Sequence, residues 1–149
     1  MKKKLSIRLF FIIIIYLFAL GMNFLPSIKY PDSSLSIINL IISVSLLVTT
    51  IIKLKSIVVS QNNKFIQIIM LCGICSSLFV LIAYEFQHIA HKYMILDVIL
   101  GIHYPLYIVF ITPLFGLNYI FNVNYGMFSG IIGIFYLLGF GSMFYHSKR

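Results

Sequence analysis

Long apolar runs separated by short polar connections constrain this chain more than any other feature. A helix needs about 20 apolar residues to cross the hydrocarbon core of a bilayer. Five runs come close to that length: 7–26, 35–52, 65–84, 94–115 and 126–145. The chain is 61% hydrophobic and 9% charged, whereas soluble domains carry about 25% charged residues. A soluble core of this size cannot bury so much apolar surface. The sequence therefore predicts an all-α integral membrane bundle of about five transmembrane helices.

The five runs form one predicted transmembrane domain over residues 1–149, because the polar connections between them reach only about ten residues. A basic lead precedes the first run, which makes a cleaved signal peptide the alternative for this segment. The run is long, however, and no small-residue cleavage site precedes the turn at Pro26. We therefore expect the first run to be a signal-anchor helix.

The cations flank the apolar runs, and such flanking charges set the orientation of a membrane protein. With five spans and a cytoplasmic N-terminus, seven cations lie on the cytoplasmic side: Lys2, Lys3, Lys4, Arg8, Lys53, Lys55 and Lys64. Four lie on the outer side: Lys29, Lys92, Lys148 and Arg149. In a four-span alternative one late segment is re-entrant, which brings Lys148 and Arg149 to the cytoplasmic side.

The formal charge of +8 arises largely from these flanking positions, where cations also contact anionic lipids, so nucleic-acid binding is not expected. Frequent Ile, Lys and Asn are typical of proteins from AT-rich bacterial genomes. The predicted location is a bacterial cytoplasmic membrane, and the lipid bilayer is the expected partner.

The ionisable residues that do not simply flank a run are concentrated around the end of the third run. Glu85, His88 and His91 are three residues apart and would share one helical face if that span continued past Tyr84. His88 and His91, with a carboxylate, are candidate ligands for a single zinc ion with one open position. A di-metal bundle site needs more glutamates than this chain has. The alternative, which we favour, is a wet loop between two spans, where such residues are common.

Asp97 and His103 lie inside the fourth run, where an ionised side chain costs about 2.5–3.5 kcal/mol. His103 is about 13 Å into that run at helical rise, so both of its ring nitrogens need partners. Pro105 removes a helical hydrogen bond and obstructs the carbonyl of Gly101. This section is predicted to be a kink or, alternatively, a functional polar pocket. Glu85, Asp97 and His103 are accordingly the candidate catalytic residues.

The order of Glu85, Gln87, Asp97 and Gly101 resembles a pattern of VanZ-like membrane proteins, in which a Glu and a nearby Gln end one span and an Asp opens the next. The Glu–Gln spacing is shorter here, and the arginine and asparagine of that pattern are absent. The resemblance covers residues 85–101 and implies a polar site at the outer face.

Two further patterns concern packing inside the bilayer. Cys72 and Cys75 form a C-x-x-C pair, as in quinone-linked disulfide-forming membrane enzymes, but the pair lies mid-span without a second cysteine pair, so a packing role is expected. Gly126, Gly130 and Gly133 lie on one face of the last run, where small residues let helix backbones approach closely. Packing within the chain is the expected use of this face, and a helix–helix contact with a partner is the alternative.

Two functions follow from these patterns. The first is a non-enzymatic accessory, immunity or envelope-stress protein that acts through helix packing. The alternative is a membrane enzyme or transporter component with a polar site at the outer face. No cofactor is predicted. The alternative function, an enzyme or transporter component, requires the acidic and histidine side chains to converge on a shared cavity.

Overall fold

Helices account for the whole regular structure of the described residues. The computed structural model describes the backbone of residues 2–58, 64–90 and 92–147, and the side chains within 10–52, 64–89 and 92–143. The long helices are α1 (Lys2–Ile28), α2 (Ile37–Val58), α3 (Lys64–Ala90) and α7 (Tyr125–Ser147). Between α3 and α7 lie α4 (Met94–Gly101), α5 (His103–Phe110), a 3-10 segment (Thr112–Leu117) and α6 (Asn118–Phe121).

The lengths of these helices suit a membrane. Within the described residues, three helices are long and apolar enough to cross one, over Phe10–Ile28, Lys64–Ile89 and Tyr125–Met143. Residues 94–121, the bent segment, would make a fourth if its two legs form one span. The apolar part of α2, Ile37–Ile52, is shorter. The predicted count of five is thus not confirmed, whereas the all-helical class is confirmed for the described residues.

α3 and α7 pack side by side in opposite directions. A Cβ added at Gly126 would lie 2.3 Å from Cγ of Tyr84, near the end of α3. A Cβ added at Gly73 would lie 2.7 Å from the ring of Tyr136, further along α7. Both glycines therefore permit a close approach that any side chain would block. Gly133 contacts α3 in the same way, since its Cβ would be 3.1 Å from Cβ of Ser77.

The bent segment begins and ends at the same end of the bundle. Its two legs, Met94–Phe110 and Thr112–Phe121, are bent by 68°. It starts beside the end of α3, and Asn122, directly after it, accepts a hydrogen bond from Tyr30 just beyond α1. We call this end, where α1 and α3 finish and α7 begins, the upper end. The opposite end is the lower end.

Two breaks shape the bent segment. The first is a one-residue interruption between α4 and α5 at Ile102, whose backbone stays right-handed helical with φ −62° and ψ −19°. The kink predicted around Gly101 and Pro105 therefore stays a prediction. The second, at Ile111, is the sharper one and was not predicted. Pro113 has no N–H to donate to the carbonyl of Val109 four residues back, and the N–H of Leu114 bonds to the Ile111 oxygen at 3.0 Å.

Tyrosines from two other helices satisfy the carbonyls at this second break. Tyr16 of α1 donates to the Val109 oxygen at 2.7 Å. Tyr136 of α7 donates to the Phe110 oxygen at 2.9 Å. Since hydrocarbon offers no hydrogen bonds to an exposed carbonyl, these contacts make the break tolerable inside a membrane.

A buried polar cluster holds the second leg against α1 and α2. The Asn23 amide donates to the Pro113 oxygen at 3.0 Å and to Oγ of Ser43 at 2.9 Å. Asn39 donates to Oδ1 of Asn23 at 3.1 Å. A Cβ added at Gly116 would lie 2.0 Å from the main-chain oxygen of Asn39. The chain backbones therefore touch here, and only glycine fits.

Three local predictions are corrected by the structure. Helix α3 continues to Ala90, so Glu85–Ala90 is helical and not a loop; the segment contains no proline or glycine, and its polar side chains are compatible with a helix surface. Residues 116–125, the polar connection expected between the runs 94–115 and 126–145, belong mostly to the 3-10 segment and to α6. Cys72 and Cys75 are free thiols on the exposed face of α3, outside the packed interior where they were expected.

Candidate functional site

A cavity of about 250 Å³ at the upper end brings together two of the predicted site residues, Asp97 and His103. It lies between the end of α3 and the first leg of the bent segment. Its remaining lining residues are Ala83, Gln87, Leu100, Gly101 and Tyr104. The first leg contributes positions 97, 100, 101 and 104, which share one helical face by their spacing, and His103, which lies next to that face. The wall of the cavity is therefore a single face of α4 and α5 opposed to α3.

The remaining predicted site residues lie elsewhere. Glu85 and His88 are exposed on α3 and do not line the cavity. The face of α3 toward the cavity is set by Ala83 and Gln87, four residues apart, and Glu85 points away from that face because it lies two residues from each. His91 is outside the described residues, so the metal pair of His88 and His91 stays a prediction. No three His, Cys, Asp or Glu side chains cluster as a metal site in the described part of the chain.

His103 is the most constrained polar side chain of the cavity, with 6% of its surface exposed. Its Nδ1 lies 2.5 Å from the Leu100 oxygen. A carbonyl can only accept, so Nδ1 carries the hydrogen, and in the neutral ring Nε2 is the acceptor. That Nε2 is buried and has no hydrogen-bond partner among the described residues. A buried, unsatisfied polar atom costs about 1–3 kcal/mol and needs an explanation.

Aromatic rings hold His103 in place. Its ring centroid lies 3.9 Å from that of Tyr104 and 6.2 Å from that of Tyr125, to which it is nearly parallel. Tyr125 in turn packs edge-on against Tyr84 at 4.8 Å. Since Tyr104 belongs to the bent segment, Tyr125 to α7 and Tyr84 to α3, three elements fix the orientation of the imidazole.

The polar groups of the cavity differ in what they can offer a ligand. Tyr125 donates to Oε1 of Gln87 at 3.1 Å, so the group that Gln87 can turn to a ligand is its NH₂ donor. Asp97 contributes carboxylate oxygens and His103 contributes Nε2, and both are acceptors in their ordinary forms. This arrangement suits a ligand that donates hydrogen bonds and carries positive charge, with an acceptor group beside it.

Sequence reasoning missed the contribution of Tyr104 and Tyr125. Neither residue stands out in a chain with 10 tyrosines, and their role follows from the packing of α7 against the bent segment. The sequence also does not distinguish Asn23, Asn39 and Ser43 from other small polar residues in apolar helices, although they hold the second leg in place. No family model, no curated protein and no solved structure matches the chain.

Proposed function

We propose that this chain is a multi-pass membrane protein that binds a primary ammonium group, carried by a lipid headgroup, in the upper cavity. The observation that carries the proposal concerns His103, which lines the cavity together with Asp97 and Gln87 and whose buried Nε2 has no hydrogen-bond partner among the described residues. The proposal keeps the outer-face polar site of the alternative function, a membrane enzyme or transporter component. The proposed role is binding, without a catalytic step.

In the proposed topology, α1, α2, α3 and α7 cross the membrane, and the bent segment enters and leaves at the upper end. The antiparallel packing of α3 and α7 supports it. If both helices cross the membrane in opposite directions, the segment that connects them must begin and end on the same side, here at the upper end. In this topology nine cations belong to the lower end, and two, Lys29 and Lys92, belong to the upper end. The nine are Lys2, Lys3, Lys4, Arg8, Lys53, Lys55, Lys64, Lys148 and Arg149.

This distribution of charge gives the proposed orientation. Cations accumulate on the cytoplasmic side of membrane proteins, so the lower end and the N-terminus are cytoplasmic and the cavity opens toward the outer leaflet. The proposed location is a bacterial cytoplasmic membrane. Lipid headgroups of the outer leaflet lie at the level where the cavity meets the surface.

The ligand class follows from the donors and acceptors of the cavity. A primary ammonium has three N–H donors, which match the carboxylate of Asp97 and Nε2 of His103. The NH₂ of Gln87 suits the phosphate that neighbours the amine in an ethanolamine headgroup. A hydrogen bond to a charged group contributes about 1.5–3 kcal/mol, which corresponds to about tenfold or more in affinity. A quaternary choline lacks these donors.

The test compares phosphatidylethanolamine with phosphatidylcholine of the same acyl chains, using native mass spectrometry of the purified protein. We expect the protein to retain phosphatidylethanolamine about tenfold more strongly. Gly101→Leu should abolish this preference, because Gly101 lines the cavity and a Cβ there meets no atom within 4 Å. Gly21→Leu is the matched control: its Cβ also meets nothing within 4 Å, but Gly21 lies on the exposed surface of α1.

His103→Phe provides a second variant that keeps a ring and removes Nε2. It should lower the preference to about unity while the protein stays folded. Equal retention of the two lipids by the unmodified protein would overturn the assignment of an ammonium ligand. A preference that survives in both Gly101→Leu and His103→Phe would place the headgroup elsewhere and favour the accessory function.

A further inference from the structure

A second and larger cavity, of about 710 Å³, lies below the second break, toward the lower end. Its walls come from all four long helices and from the tip of the bent segment. Tyr16 of α1, Thr50 of α2, Met70 of α3 and Gly139 of α7 line it, with Phe110 at its top. This lower cavity shares no lining residue with the upper one.

The architecture explains why such a space exists. α1 packs against α2, and α3 packs against α7, while the bent segment lies between the two pairs. That segment reaches down only as far as the break at Ile111, where Tyr16 and Tyr136 contact its carbonyls. The lower cavity lies below this level, and its lining residues come from both helix pairs.

The polar side chains of the lower cavity have already donated their hydroxyl hydrogens to main-chain carbonyls. Tyr16 donates to Val109 and Tyr136 to Phe110, at the tip of the bent segment. Thr50 donates to the Leu46 oxygen at 2.8 Å, and Ser142 to the Gly139 oxygen at 2.7 Å. The remaining lining is apolar. Such walls do not hold a cluster of water, which needs two to four polar partners for each molecule.

We propose that the acyl chain of a bilayer phospholipid enters between the two helix pairs and fills the lower cavity. The volume lies within the range of roughly 300–1,000 Å³ that is typical of ligand sites, and protein interiors leave few voids larger than a water molecule. The lining residues of α1, α3 and α7 belong to the candidate spans Phe10–Ile28, Lys64–Ile89 and Tyr125–Met143, and those of α2 belong to the shorter apolar stretch Ile37–Ile52. In a membrane, acyl chains therefore surround the opening. The inserted chain contacts Phe110 and Pro113 and supports the bent segment from below.

Photolabelling tests this proposal. The protein is reconstituted in vesicles of phosphatidylcholine that carry a diazirine along one acyl chain, and labelled residues are mapped by mass spectrometry. We expect labels on Met70 and Tyr136, which line the cavity, as well as on Leu71 and Leu137, which are exposed. Labels confined to the exposed residues would overturn the proposal without any variant.

A matched pair of variants on α7 tests whether the labels come from inside the cavity. Gly139 lines the cavity, and a Cβ there would make only ordinary contacts with Met70, at 3.5 and 3.9 Å. Gly139→Leu should reduce labelling of Met70 and Tyr136 at least fivefold and leave Leu137 unchanged. Gly141→Leu is the control, because Gly141 is exposed and its Cβ meets nothing within 4 Å.

The same experiment separates this proposal from the headgroup site. Phosphatidylcholine suffices as the probe, since the lower cavity is proposed to contact only the acyl chain and not the headgroup. Labels on Met70 and Tyr136 that persist undiminished in Gly139→Leu would overturn occupancy of the cavity. A retained isoprenoid in place of a phospholipid, detected by mass spectrometry after purification, would overturn the assignment of the occupant.

Discussion

Asn23 of α1 donates a hydrogen bond from its side-chain amide to the main-chain oxygen of Pro113, across 3.0 Å. Ninety residues of sequence separate the two. The same oxygen accepts from Ser43 of α2 at 3.2 Å, so the start of the second leg is held by both helices of one pair. In hydrocarbon, such a carbonyl has no water to replace these donors. The position of the bent segment, and with it the upper cavity, therefore depends on polar side chains in the first two runs.

Ser43→Ala should lower the free energy of unfolding by about 1–2 kcal/mol, because it removes a donor to Pro113 and the acceptor of Asn23. Denaturation in mixed micelles measures this change. Ser45→Ala is the matched control on the same helix: Ser45 is exposed and donates to the Ile41 oxygen of its own helix. That substitution should stay within about 0.5 kcal/mol. Equal effects of the two substitutions would show that the buried cluster does not hold the bent segment.

Gly116→Ala should be far more damaging than its single methyl group suggests. The added Cβ would lie 2.0 Å from the oxygen and 2.4 Å from the carbonyl carbon of Asn39, and a helix backbone cannot yield as a flexible side chain does. We expect a loss of about 3 kcal/mol or more, seen as a lowered melting temperature in detergent.

Gly21→Ala serves as the control for that substitution, since its Cβ meets nothing within 4 Å. It should be neutral or should stabilise α1 by about 0.5–1 kcal/mol, because glycine is the poorer helix former. A melting temperature for Gly116→Ala equal to that of Gly21→Ala would contradict the close contact between α2 and the 3-10 segment.

Tyr16→Phe and Tyr136→Phe should each lower stability by about 1 kcal/mol. Each removes one hydroxyl from a carbonyl at the second break, that of Val109 or that of Phe110. Because the two carbonyls are adjacent, the double variant should lose more than the sum of the single losses. Thermal unfolding in detergent of the unmodified protein, the two single variants and the double variant gives the interaction energy between the two substitutions. Tyr119→Phe, at an exposed tyrosine of α6, is the control. Strict additivity would indicate that each carbonyl is satisfied independently.

The all-helical class was predictable because the length of an apolar run and the thickness of a bilayer together leave few alternatives. The kink around Gly101 and Pro105 stays a prediction, since the backbone at Ile102 keeps helical dihedral angles. The sequence left the fate of the bent segment open, between a span and a re-entrant segment, because an apolar run suits both. The position of its sharp bend depends on contacts between distant residues such as Asn23 and Pro113, which sequence patterns do not reveal.

The candidate site, too, was predictable from the sequence only in part. Asp97 and His103 stood out from sequence because polar side chains are costly inside an apolar run, and the structure places both on one cavity. Glu85 and His88 stood out for their spacing, but spacing alone does not say which face of α3 meets the bent segment. The packing of Tyr125 against Tyr84 settles that face, and it turns Gln87 toward the cavity.

The proposed topology predicts that a fusion after Arg149 lies on the same side of the membrane as the N-terminus. α7 runs antiparallel to α3, so a chain with four crossings ends where it began, whereas five crossings place the two ends on opposite sides. A fluorescent reporter that matures only in the cytoplasm should therefore be bright after Arg149, and alkaline phosphatase there should be inactive. A fusion after Tyr93, beyond the upper end of α3, is the control and should show the reverse pattern. Phosphatase activity after both Tyr93 and Arg149 would mean that the bent segment crosses the membrane, and the upper cavity would then lose its place at the outer leaflet.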